Sequence, residues 1–228
     1  MLPSKRDVEV RIRRAAATLA TLPPFGVDVP WRRCRTPYRI FLAELLLVRT
    51  RVDLVAERFE GIYRRFPSPA AFAAASQDDV AEALASLGLR KRIPLIRRAM
   101  EYLVDRHDGC IPASQEELLR IPGVGTYAAA ATAAFAFGHR GVPADVNVLR
   151  LLARITGLEM EHRTKGSKTL RALLPLLAPE TGGPACEVVL DFARLTCKPR
   201  RPRCDECSLV SCCHHAHAHI PPASASSA

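Results

Sequence analysis

The chain has 228 residues, is 48% hydrophobic, and carries 33 Lys plus Arg against 23 Asp plus Glu, a formal net charge of +10. That apolar content can fill a core, and the longest apolar run, around Tyr127 to Phe137, is too short for a bilayer span of about 18 residues or more. The N-terminal stretch MLPSKRDVEVRIRR lacks the apolar centre of a secretory signal, which predicts a cytosolic protein, and the basic excess, mostly arginine, suits a polyanionic partner.

Helix signals run the length of the chain. Thr36 followed by Pro37 starts one helix and Ser68 followed by Pro69 another, each with proline at the first helical position. Gly88, Gly138 and Gly157 each close a periodic apolar segment. No segment alternates with period two and no internal repeat is evident, so the fold class expected is all-α with short connections.

On the first of these helices, PYRIFLAELLLVRT, Glu44 has Ile40, Phe41, Leu47 and Val48 as its neighbours three and four residues away. A carboxylate on a wholly apolar face needs a partner, a raised pKa, or both, because burying it alone is costly. It is a candidate general acid, with a structural Glu–Arg pair as the competing role.

Ser114, with Glu117 three residues on, forms a capping box for a helix that ends near Arg120. The segment IPGVGTY follows. Pro122 fixes one φ angle, while Gly123 and Gly125 permit positive φ and leave the backbone bare around Val124 and Thr126. A helix beginning there presents uncapped N–H groups and the positive end of its dipole, a seat for a phosphate. Two helices joined by such a turn read as a helix-hairpin-helix spanning 114–137, which grips a nucleic-acid backbone without reading sequence; a plain helical turn is the competing reading.

Asp145, in VPADVNVLRLLARITG, directly precedes the next apolar-periodic helix. Aspartate is among the best N-caps, and a capping carboxylate can still present its second oxygen to a ligand.

Near the C-terminus, CKPRRPRCDECSLVSCC gives Cys197, Cys204, Cys207 and Cys213 the spacing C-x6-C-x2-C-x5-C. Thiols so clustered in a cytosolic chain read as metal ligands for either a tetrahedral zinc or a [4Fe–4S] cluster, and Cys212 can replace Cys213 as the fourth. The insert KPRRPR makes the same loop suited to DNA phosphates. Apart from that alternative role of Cys212, Cys34, Cys110, Cys186 and Cys212 read as ordinary thiols. The tail HHAHAHIPPASASSA shows no apolar periodicity and is expected to be disordered over 214–228.

Together these motifs resemble the helix-hairpin-helix DNA glycosylases of the endonuclease III superfamily, over almost the whole chain from about Val29 to Cys213. The cysteine spacing is similar to that superfamily's [4Fe–4S] loop, IPGVG to its hairpin, and VPADVNVLRLLAR to the segment bearing its essential aspartate, Asp145 here. The resemblance implies a two-domain helical fold: a helical bundle over 30–135, and an iron–sulfur domain made of 1–29 plus 136–213. It implies double-stranded DNA as partner and a protein that acts as a monomer.

Where the endonuclease III branch carries a lysine nucleophile, this chain has Tyr127. A phenol cannot form an imine, so the resemblance implies a monofunctional enzyme that hydrolyses the N-glycosidic bond without strand cleavage. Asp145, Glu44 and Tyr127 are then the catalytic residues. Gly123, Val124, Gly125, Thr126 and Arg49 are the DNA contacts, with Arg49 placed to meet the orphaned base or fill its gap.

Two branches resemble this chain there, the thymine/uracil mismatch and the adenine-mismatch glycosylases. Val48-Arg49-Thr50 in place of Gln-Gln-Thr, Val146 in place of a glycine, and a chain that ends soon after the cysteines turn the expectation toward thymine or uracil opposite guanine. SLGLRKR, residues 86 to 92, departs from both branches. An adenine-mismatch glycosylase lacking its C-terminal recognition domain, and a non-catalytic lesion- or mismatch-binding protein on the same scaffold, are the alternatives.

Overall fold

The computed structural model describes residues 3–26, 28–160, 168–177 and 182–219; all of these that are regular are helical, with no strand among the described residues. In chain order the helices are α1 (Lys5–Ala20), α2 (Pro30–Arg33), α3 (Pro37–Leu47), α4 (Val52–Arg65), α5 (Pro69–Ala74), α6 (Gln77–Leu84), α7 (Ile93–His107) and α8 (Gln115–Arg120). They continue with α9 (Thr126–Phe137), α10 (Val146–Thr156), α11 (Lys168–Leu177), α12 (Pro184–Leu195) and α13 (His214–His219). None is long and apolar enough to cross a membrane. Two compact units result: Val27–His139, and Met1–Gly26 together with Arg140–Ala228.

In the Val27–His139 unit, side-chain caps start the helices where the sequence marks them. The Thr36 hydroxyl accepts from the Arg39 amide, Ser68 from Ala71, and Ser114 from Glu116 and Glu117. α3 is buried on every side from Tyr38 to Leu46, which only a helix at the centre of its unit can be. α9 lies against it, and its alanines explain the fit: Ala128, Ala129, Ala131, Ala133 and Ala134 are all buried, and small side chains let two helix backbones approach closely. An aromatic layer of Trp31, Phe59, Phe66 and Phe72 fills the rest, with Trp31 and Phe59 meeting edge to face at 5.1 Å and the Tyr38 hydroxyl donating to the Phe66 carbonyl at 3.0 Å.

The second unit is built around α10, which packs against α1, α11, α12 and α13. Val148, Leu149, Leu151, Leu152 and Ile155 turn inward from it, meeting Ile12, Ala15 and Leu19 of α1 and Val189, Phe192 and Ala193 of α12. Each aliphatic side chain so buried contributes about 1.5–3 kcal/mol.

The histidine-rich tail differs from the expectation of disorder. His214–His219 forms α13, Ala216 is buried, and the His214 ring lies over Gly157, whose missing Cβ would sit 2.7 Å from His214 Cγ. A helix this short cannot sustain itself by propensity. It is held by tertiary contacts from Cys213 onward, which no periodicity within HHAHAH announces. Residues 220–228 of the expected tail lie outside the described residues.

Candidate functional site

The hairpin is α8, a turn over 121–125, and α9. The Val124 amide donates to the Ile121 carbonyl at 3.1 Å, and Ile121 and Val124 are buried beneath the turn. The two glycines do different work. Gly123 has φ +81°, and a Cβ there would lie 2.4 Å from Leu95 Cγ on α7, so neither backbone nor space admits another residue. Gly125 instead has φ −87° and room for a Cβ, so it does not use the positive φ that glycine permits; it is the N-cap of α9. No side chain caps the first amides of α9, which begins beside exposed Gly123, Gly125 and Thr126, and no acidic residue occupies the first turn. Tyr127 follows, half-buried.

Glu44 is 5% exposed on α3. Arg39 on the same helix is also buried; its guanidinium pairs with Glu60 and lies 4.4 Å from the centre of the Tyr63 ring. Arg49 sits exposed just beyond the end of α3, with φ +64°.

In the other unit Asp145 is the N-cap of α10. Its Oδ1 accepts from the Val148 amide at 2.7 Å and its Oδ2 accepts from Asn147 Nδ2, also at 2.7 Å. Both oxygens are therefore oriented, and the residue stays half-exposed. The orientation is passed on. Asn147 Oδ1 accepts from Arg150 Nη2 at 3.0 Å, and Arg150 Nε donates to the Cys197 carbonyl at 2.9 Å, the first residue of the cysteine loop. One turn further on, Arg154 donates to the Lys198 carbonyl at 2.6 Å and the Pro199 carbonyl at 3.1 Å, and its Nη1 lies 3.3 Å from Cys197 Sγ. Burial pulls Arg150 below the usual arginine pKa, offset by the nearby Cys197 and Asp145.

Cys197, Cys204, Cys207 and Cys213 line one narrow, largely apolar cavity with Arg154 and His215. Burial pushes the Cys207 thiol up to about 11, helped by Cys213, Cys197 and Cys204 beside it, and raises Cys204 and Cys213 as well. Cys212 turns elsewhere, donating to the Leu209 carbonyl at 3.4 Å and packing in the unit's core near Arg14 and Arg11 of α1. Among the described residues no three His, Cys, Asp or Glu side chains gather around one point as a single ion requires. Four thiols around a common apolar cavity, with a guanidinium at the first, are a donor set that suits a thiolate-ligated group, whose cations would offset the burial that raises Cys204, Cys207 and Cys213.

The family model for the HhH-GPD superfamily base excision DNA repair protein matches residues 42–176. The chain belongs to this superfamily. A thymine/uracil-DNA glycosylase of Pyrobaculum aerophilum is 34% identical over 190 residues, 81% of this chain and 82% of the relative. An adenine DNA glycosylase of Mycobacterium tuberculosis is 32% identical over 198 residues, 86% of this chain but 65% of the relative. Among solved structures, a thermostable thymine-DNA glycosylase superposes with a TM-score of 0.78 at 24% identity, covering 93% of this chain and 98% of that one. The protein is a DNA glycosylase of base excision repair.

In this glycosylase the structure brings together the hairpin residues Gly123 to Tyr127, and separately the four cavity-lining cysteines. Asp145 belongs to the second unit, Glu44, Arg49 and Tyr127 to the first. Sequence reasoning missed Asn147, Arg150 and Arg154. A signal was available: Asn two residues after an N-cap aspartate, then arginines three and seven residues after that Asn, fall along one side of α10.

Proposed function

We propose that this glycosylase is monofunctional and hydrolyses the N-glycosidic bond of thymine or uracil opposite guanine in double-stranded DNA. The observation that carries the reading is Asp145, a half-exposed carboxylate whose two oxygens are both fixed, by the Val148 amide and the Asn147 side chain. A carboxylate held this way meets the positive charge that develops on the sugar without reorganising, and it can direct a water to the anomeric carbon.

The other roles follow from chemistry. The bare amides at the start of α9 hold a DNA phosphate. The target nucleotide leaves the stack, at a cost of a few kcal/mol that is least at a mismatch. Glu44 assists departure of the base, directly or through a water. Tyr127 packs at the sugar; having no amine, it forms no Schiff base, and an abasic site is the product. Cys197, Cys204, Cys207 and Cys213 hold a [4Fe–4S] cluster, the kind that the superfamily resemblance implies. That cluster contributes structure to the loop bearing Lys198, Arg200, Arg201 and Arg203. The 34% identity to a thymine/uracil-DNA glycosylase over most of both chains supports the choice of base.

The test is single-turnover base release on duplexes containing T:G, U:G, A:G, A opposite 8-oxoguanine, or an oxidised pyrimidine, each with and without alkali. Strand breaks at T:G or U:G only after alkali are expected. Breaks without alkali overturn the monofunctional assignment, and release confined to A:G or A opposite 8-oxoguanine overturns the substrate.

A further inference from the structure

The chain reverses between α3 and α4 in a turn with an unusual occupant. The Thr50 amide donates to the Leu47 carbonyl at 3.2 Å, Val48 has φ −64° and ψ 109°, and Arg49 has φ +64°. These are the features of a type II β-turn, and Arg49 stands at the position that favours glycine. A long cationic side chain in the left-handed region is strained and persists only where its surroundings impose it.

The competing conformation is a type I turn, in which the Val48–Arg49 peptide is flipped and Arg49 relaxes to φ of about −90°. The flip swings the Val48 carbonyl to the opposite side of the turn. That carbonyl is held. Arg92 Nη1 donates to the Val48 carbonyl at 3.4 Å and to the Leu45 carbonyl, in the last turn of α3, at 2.7 Å. The Thr50 hydroxyl gives no help, being buried with no hydrogen-bond partner in the structure. Arg92 comes from the 3-10 turn Arg90–Arg92, in the segment 86–92 that departs from both glycosylase branches. Burial draws its pKa below the usual arginine value, and the charge of Arg49 draws it further, so the two guanidinium groups are held near each other despite their repulsion.

We propose that Arg92 is a positioning residue for Arg49. It locks the central peptide of the turn, so the exposed Arg49 guanidinium is presented in one fixed direction to the DNA at the vacated stack position. This rests on the reading that the protein flips a nucleotide, with Arg49 at the gap.

The test is a double-mutant cycle on the full-length protein with Arg49→Ala, Arg92→Met and the pair. It is read by fluorescence of 2-aminopurine placed beside a T:G mismatch and by single-turnover thymine release. Each single variant is expected to lose about tenfold in both, and the pair to lose no more than either alone. Arg92→Met at the wild-type level, or losses that multiply, overturns the proposal. Where Arg92→Met does not fold, Arg92→Gln is read in its place, since its amide keeps a polar head but stops about 2 Å short of the position from which Arg92 Nη1 reaches both carbonyls; losses that multiply with Arg49→Ala again count against the proposal. Wild-type protein silent by both readouts on all five duplexes of the panel overturns the flipping reading itself, a result distinct from active protein whose two arginines act independently.

Discussion

Asn147 donates its amide to Asp145 Oδ2 at 2.7 Å while its own carbonyl oxygen receives Arg150. The carboxylate is therefore aimed by a neighbour two residues away, itself aimed by the helix that anchors the cysteine loop.

Replacing Asp145 by Asn is expected to leave binding to T:G duplex within a few-fold of wild type and to lower single-turnover base release by about 10²- to 10⁴-fold. Equal loss of binding and release would reduce Asp145 to a helix cap. Asn147→Ala removes one oriented hydrogen bond to a charged group and is expected to cost about tenfold or somewhat more in base release, with binding retained.

Tyr127→Lys puts an amine where the phenol stands in the first turn of α9. Gain of a borohydride-trappable covalent complex with T:G or U:G duplex is expected, read as a shifted band on a denaturing gel. Trapping by the wild-type protein at the same level would remove Tyr127 from the argument.

Cys213→Ser is expected to lose iron and visible absorbance relative to wild type, whereas Cys212→Ser retains both, because only Cys213 shares the cavity with Cys197, Cys204 and Cys207. Iron per chain measured on the two purified proteins decides; retention in the first and loss in the second would exchange their roles.

Gly123→Ala and Gly125→Ala separate the two glycines. The first forces an L-residue to φ +81° and drives a Cβ into Leu95, and is expected to cost about 2 kcal/mol or more in unfolding free energy. The second meets open space and changes an uncapped N-cap, for a cost of roughly 0.5 kcal/mol. Urea unfolding of each variant measures the difference, and equal costs would mean the turn relaxes freely around position 123.

Much of this was legible in the sequence because it is local. Thr36, Ser68 and Ser114 cap their helices through hydroxyls acting three residues ahead, and Gly138 and Gly157 end theirs in left-handed conformation, as short-range rules require. The hairpin and the cysteine spacing were visible for the same reason. What escaped depends on partners distant in sequence. The requirement at Gly123 is set by Leu95, the structure of HHAHAH by Gly157 and the residues around Ala216, and the choice between adjacent Cys212 and Cys213 by which way each side chain faces. Burial of Glu44 was foreseeable from its neighbours. The spacing of Asn147, Arg150 and Arg154 along one side of α10 was readable too, but the partners of the two arginines were not, since they are backbone carbonyls, which every residue possesses.

That last point bears on how the basic loop can change over time. Arg150 and Arg154 grip the carbonyls of Ala193, Cys197, Lys198 and Pro199, so apart from the contact with Cys197 Sγ α10 fixes the path of the chain through its backbone rather than its side chains. Pro199, Arg200 and Arg203 are exposed, and exposed positions such as these can be exchanged one at a time with little consequence for folding. The scaffold thereby separates inheritance of shape from inheritance of charge: affinity for the polyanion can drift, be strengthened or be reversed at this loop while the carboxylate at the other end of the same helix keeps its aim.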